Sequence, residues 1–110
     1  MLVRGLTSSG GGGNKSYDHH GTLSNSRIEC GFQPRIIILY DDDYSSSHYK
    51  VSVLYNSDIS SNYEFQLNGT VYSNRTIGGS GEQLGGVDAT GFDLSYYNNY
   101  SSGLQIIAIE

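Results

Sequence analysis

Side chains able to do chemistry fall in three places. The first is Asp41-Asp42-Asp43-Tyr44-Ser45-Ser46-Ser47-His48, where carboxylates, hydroxyls and an imidazole share one short stretch. A hydrolase needs those three types, but a working triad holds nucleophile, base and orienting acid on separate rigid elements, which one turn cannot supply. Consecutive aspartates after an apolar run are expected to form a solvated turn closed by Asx hydrogen bonds. Calcium would suit carboxylates beside backbone carbonyls, yet the spaced D-x-D-x-D-G ligand series is missing. The second place is His19-His20. Adjacent side chains of an extended segment point in opposite directions, so one ion could not take both, and the pair is expected in a linker without a structural role. No complete metal or cofactor set is present in the sequence, and none is expected. The third place is Ser95-Tyr96-Tyr97-Asn98-Asn99-Tyr100-Ser101-Ser102-Gly103, a mixture typical of binding loops. Its rigid amphipathic rings give contact area and its small polar groups give adaptable hydrogen bonds. Tyr96, Tyr97, Asn98, Asn99 and Tyr100 are therefore the candidate ligand-binding residues, joined by Asp42 and Tyr44 of the first stretch.

The elements that must position these loops read as strands. At 110 residues the chain has room for one domain with a modest core. Fifteen glycines, a single proline and ten tyrosines against three phenylalanines describe a β-protein with many turns. A net charge of −5 with six scattered Lys and Arg leaves no basic stripe, which argues against a nucleic-acid partner. No apolar run approaches membrane-spanning length, so membrane insertion is not expected. Cys30 stands alone and is expected as a small buried hydrophobe. Four Asn-x-Ser/Thr matches, at Asn14, Asn68, Asn74 and Asn99, follow from a chain rich in those residues.

Residues 1–20, with Gly10 to Gly13 at their centre, read as a flexible linker, and residues 21–110 as a single β domain. Period-two alternation then recurs. Thr22 to Cys30 is a first strand. Arg35 to Tyr40 and Leu104 to Ile109 are apolar on both faces, as central strands are. Tyr49, Val51, Val53 and Tyr55 alternate with Lys50, Ser52 and Leu54. Tyr63, Phe65 and Leu67 alternate with Glu64, Gln66 and Asn68, and Asn68-Gly69 predicts a two-residue hairpin turn setting Phe65 opposite Tyr72 and Leu67 opposite Thr70. Val87 to Leu94 completes the set. Tyr40, Tyr49, Tyr55, Tyr63 and Tyr72 lie on strands and are expected in the core. The fold class is all-β, a small antiparallel sandwich or flattened barrel of about seven strands.

Two segments mark the corners of this fold. Gly31-Phe32-Gln33-Pro34 turns a polar strand into the run Arg35-Ile36-Ile37-Ile38-Leu39-Tyr40, and Gly91-Phe92-Asp93-Leu94 precedes the closing Leu104-Gln105-Ile106-Ile107-Ala108-Ile109. Together they resemble the C-terminal knob domains of bacteriophage and prophage tail fibres, where a G-F-x-P corner leads an apolar strand and a late G-F-x-L strand precedes a terminal one ending near I-A. The resemblance spans roughly residues 21–110. It implies a noncatalytic structural and receptor-binding domain at a fibre tip in the virion, a homotrimer attaching to a bacterial cell-surface glycan or protein. A monomeric carbohydrate-binding or adhesin module of the bacterial surface is the alternative, and a small hydrolase a third.

Two doubly apolar strands in so small a domain require a cover for their second face, either a second sheet or another copy of the chain. Simple up-and-down connections would bring the Asp41 to His48 loop, the Asn68-Gly69 turn and the Ser95 to Gly103 loop to one end. The Gly31 to Pro34 corner, the Asn56 to Asn62 loop and the Thr76 to Gly86 loop would meet at the other. A first strand running from Thr22 would start at the first of these ends, and a shaft entering there would crowd the binding loops.

Overall fold

The computed structural model describes residues 15–41, 51–68, 71–79, 82–95 and 102–110. The alternation resolves into nine strands: β1 (Ser16–His20), β2 (Arg27–Glu29), β3 (Ile36–Asp41), β4 (Val51–Asn56), β5 (Tyr63–Asn68), β6 (Val71–Thr76), β7 (Leu84–Asp88), β8 (Gly91–Leu94) and β9 (Leu104–Ile109). They form a six-stranded sheet of order β1-β9-β3-β4-β5-β6 and a three-stranded sheet of order β2-β8-β7, and every pairing is antiparallel. Among the described residues there is no helix. The architecture is a small β-sandwich. Its core lies between the sheets, with Ile28, Phe32, Leu84, Phe92 and Leu94 meeting Ile37, Leu39, Val53, Leu104 and Ile106.

The Gly-Phe-x-Pro corner hands the chain from the small sheet to the large one. Gly31 takes a φ of 84°, open to glycine at no steric cost, while Phe32 and Pro34 bury their rings. Arg35 then donates its N–H to the Ile109 carbonyl at 2.7 Å, so the corner is locked onto the last strand before β3 begins. The strands expected to be central, β3 and β9, lie inside the large sheet, and the structure pairs them with each other. At Gly91 the small sheet needs glycine for a different reason, because a Cβ there would run into the Ile28 carbonyl oxygen of β2.

Several expectations are corrected. About seven strands become nine: β1 is added, and the expected strand Val87 to Leu94 is a hairpin, β7 from Leu84 and β8, broken at 89–90, where Asp88 accepts the N–H groups of Thr90 and Gly91 at 3.0 and 3.1 Å. Thr22 to Cys30 shrinks to the three residues of β2, and residues 15–20 belong to the sheet rather than to a linker, since β1 pairs along β9. Residues 1–14 lie outside the described residues. The hairpin after β5 is shifted as well: Asn68 pairs with Val71 and Leu67 with Tyr72. A slip of two preserves which side each residue faces. Phe65 therefore still meets Tyr72, now on a diagonal, with ring centroids 6.4 Å apart and planes 21° apart. Asp41 is no solvated turn residue but the buried last residue of β3.

Candidate functional site

The register defines the two ends of the large sheet. Asp41, Val51, Asn68, Val71 and Leu104 lie at one end, and Ile36, Asn56, Tyr63, Thr76 and Ile109 at the other. Every connection proposed as a binding loop leaves from the first end. The candidate residues themselves, Asp42, Tyr44, Tyr96, Tyr97, Asn98, Asn99 and Tyr100, fall outside the described residues, as do Ser45 to Ser47, His48 and Tyr49. What the fold does place is the start of the described chain. Ser16 pairs with Ile109, and Glu110 donates its N–H to the Lys15 carbonyl at 3.0 Å, so β1 begins at the second end, away from those connections. The crowding expected of a first strand starting at Thr22 does not arise.

Of the two histidines, His19 sits on β1 with its Nε2 3.0 Å from the Gly21 carbonyl and 3.1 Å from that of Thr22. Both partners are acceptors, so that nitrogen carries a proton and caps the strand end. The pair is part of the sheet, contrary to the linker expectation. Among the described residues no three His, Cys, Asp or Glu side chains converge on a possible metal position.

The less expected finding concerns which side of β5 faces inward. Glu64 and Gln66 are buried, and Phe65, Leu67 and Tyr63 look out. Glu64 is held by three donors: the N–H of Gln83 at 2.9 Å and the Gln66 amide at 2.7 Å on Oε2, and the N–H of Leu84 at 2.7 Å on Oε1. It thus ties the large sheet to the segment opening β7 in the small one. Burial pushes its carboxyl above the ordinary value, against the pull of those three donors.

The register shows what this parity builds outside. Ile107, Ile38, Leu54 and Phe65 stand abreast across four strands, with Tyr40, Leu67 and Tyr72 in the neighbouring row. Ile38, Tyr40, Leu54, Leu67 and Tyr72 are 38–64% exposed. Tyr40, Tyr63 and Tyr72 are accordingly surface residues, contrary to the expectation of core, whereas Tyr55 is buried. Ile38, Leu54, Phe65, Leu67 and Tyr72 line a shallow concavity of about 440 Å³. No outward position of β9, β3, β4, β5 or β6 carries a charge. Five strands of about six residues cover roughly 24 by 20 Å, near 500 Å² in plan.

The other end holds a polar cleft of about 650 Å³ where the two sheets meet. Gln33 of the corner, Ser61 and Asn62 before β5, Thr76 at the end of β6, Ile77 after it, and Gly85 and Gly86 of β7 come together there, as the second loop cluster was expected to. The Ile77 N–H bonds the Asn62 carbonyl at 2.9 Å and fastens two of these segments. On the small sheet Arg27 bridges Glu29 and Asp88, both at 2.8 Å, with Asp93 at 3.5 Å. These contacts, with the backbone N–H groups of the 89–90 turn, hold the Asp88 carboxyl far below the usual range. The guanidinium is thereby committed to the hairpin rather than free for a ligand.

These observations define a class, a two-sheet antiparallel sandwich whose large sheet turns an apolar cluster outward, with Asp18 of β1 at its margin beside Ile107. Comparison of the chain with protein-family models, with curated proteins and with solved structures gives no match in any of the three.

Proposed function

We propose that this domain is a noncatalytic structural and receptor-binding module of the kind found at the tips of phage and prophage tail fibres, assembled as a homotrimer and attaching to a bacterial surface glycan or protein. The observation that supports it most is the polarity of the large sheet. The described chain starts at Lys15, beside Glu110, while the connections 42–50, 69–70 and 96–101 leave from the opposite end. A shaft joined before β1 would therefore approach the large sheet from the end opposite to the one these connections leave.

The outward face supports the assembly. Copies of a chain with a net charge of −5 meet at least cost through surfaces without charge, and the outward positions of β9, β3, β4, β5 and β6 carry none. Its exposed Leu and Ile side chains stand where a monomeric sandwich would carry polar residues. Assembly joins weak surface sites into an attachment about 10²–10⁴ times tighter than one site alone.

Sedimentation across a concentration series tests the assembly. The wild-type chain is expected as a trimer, and the double variant Leu54→Lys, Leu67→Lys as a folded monomer. Attachment to susceptible cells is expected to fall for that monomer, and also for Tyr97→Ala, Tyr100→Ala with the assembly retained. A monomeric wild-type chain that attaches as well as any multimer would establish the independent carbohydrate-binding module instead.

A further inference from the structure

We propose that β6 of one copy pairs with β1 of the next, the two edges of the large sheet closing three copies into a ring whose axis runs along the strands. The joint rests on the trimeric tip reading and supplies the contact that closes it.

In an antiparallel pair, residues that exchange both backbone hydrogen bonds alternate with residues whose N–H and C=O point away. The Ile77 N–H on the Asn62 carbonyl fixes that phase along β5 and β6: Arg75 and Ser73 turn their groups to β5, whereas Tyr72, Asn74 and Thr76 turn theirs out from the edge. The Glu110 N–H on Lys15 and the Gly21 N–H on Leu104 fix the phase of β1, which turns out Ser16, Asp18 and His20. Of these outward groups only the Thr76 carbonyl has a backbone partner among the described residues, the Gly79 N–H at 2.9 Å. The two sets occupy the same rows. Asp18, Ile107, Ile38, Leu54, Phe65 and Asn74 are successive partners across all six strands, as are His20, Gln105, Tyr40, Ser52, Leu67 and Tyr72. A three-fold turn about an axis along the strands keeps each row at one height, so it brings Asn74 against Asp18 of the next copy and Tyr72 against its His20. Five antiparallel steps separate β1 from β6, which makes the joint antiparallel as well, in the register where unused groups meet unused groups.

Charge selects this pairing over the others. β1 carries Asp18 and no Lys or Arg, whereas β6 carries Arg75 and no acid. Head to tail the two edges have opposite sign, while β1 beside β1 would bring like charges together, the device that keeps edges apart. In the shared row the Asn74 amide is a donor for the Asp18 carboxylate. The edges of the small sheet are unsuited, since β2 has three residues with Arg27 and Glu29 bonded to each other, and β7 breaks register between Leu84 and Gly86. Ring geometry also decides which face turns inward. A six-stranded wall is about 29 Å wide and in a three-sided ring stands roughly 8 Å from the axis, less than the roughly 10 Å a packed second sheet needs. The small sheet therefore stays outside, and the apolar row of Ile38, Leu54 and Phe65 turns to the axis.

Disulfide trapping in the full chain tests the joint. Asp18 and Asn74 lie on opposite edges of one sheet, five strand spacings or about 24 Å apart, so a bond between cysteines at these positions can join only two different copies. With Cys30→Ala removing the native thiol, the variant Asp18→Cys, Asn74→Cys is expected to run after oxidation as a covalent trimer on a denaturing gel and to return to single chains with reductant, whereas either substitution alone leaves single chains. Asn74→Pro, which removes an N–H that β5 does not use, is expected to sediment as a folded monomer. Trimers in sedimentation that yield no covalent trimer and survive Asn74→Pro would overturn the joint and leave the trimeric reading standing. Covalent dimers alone, or a ladder running past three, would overturn closure of the ring. A wild-type chain that sediments as a monomer would overturn the trimeric reading and the joint with it.

Discussion

Replacing Glu64 by glutamine probes the joint between the sheets. The substitution keeps size and shape and exchanges one acceptor oxygen for an NH₂ group. Oε2 serves two donors, the Gln83 N–H and the Gln66 amide, whereas Oε1 serves only the Leu84 N–H, so the new oxygen takes the Oε2 position and the NH₂ faces Leu84. The Leu84 N–H is then orphaned in a fully buried site, at a cost of about 1–3 kcal/mol, and the opposed NH₂ adds a cost of similar size. A total of about 3 kcal/mol lowers the melting temperature by roughly 12–24 °C in a domain of this size. The gap should depend on pH. Burial raises the Glu64 carboxyl above its ordinary 4.5, so the folded state holds the proton more tightly than the unfolded one. This group's stabilisation is therefore full below that ordinary value and declines as pH rises through the raised one. Glutamine does not titrate. Thermal melts of both proteins at pH 4 and pH 7 should give the larger gap at pH 4. A variant that melts with the wild type at both values would show that the three donors do not hold the sheets together, and a gap widening toward pH 7 would refute burial as the dominant influence on the carboxyl.

Two further outcomes follow from the core. Phe32→Ala, at a position 4% exposed, should destabilise by about 3–5 kcal/mol in denaturant titration, and an unchanged midpoint would remove Phe32 from the core. Burial pushes the Cys30 thiol up to about 11, so iodoacetamide at pH 8 should label the folded chain roughly a hundredfold more slowly than the unfolded one, where equal rates would place the thiol in solvent.

Much of the architecture was legible because alternation survives any detail of packing. The doubly apolar runs Arg35 to Tyr40 and Leu104 to Ile109 marked central strands, and the Gly31 to Pro34 corner marked the join between a polar strand and an apolar one; that the two central strands pair and that the corner crosses between sheets came from the structure. The parity of β5 was not legible. A pattern such as Tyr-Glu-Phe-Gln-Leu-Asn says which residues share a side, never which side faces in, and the choice was made by the Gln83 and Leu84 N–H groups awaiting an acceptor. β1 was hidden for a related reason: an edge strand of Ser, Tyr, Asp and two His half-buries only Tyr17 and His19, too little to show in composition. The Asn-Gly signal announced a hairpin but misplaced its register, since pairing Leu67 with Tyr72 extends the outward apolar row. Of the candidate sites, the second loop cluster was foreseen as a meeting of segments, but the bulge at Gly85 beside it was not, since no local motif announces it.

The bond between Glu110 and Lys15 has a consequence for architecture on a larger scale. Because β1 runs antiparallel along β9, chain entering β1 and chain leaving β9 meet the sheet at one pole, the arrangement that lets a domain sit in a surface loop of a larger protein without a long tether. Both attachments would leave from the pole bearing the 56–62 turn, and the far pole would stay unobstructed whether one strand of host chain or two arrived there.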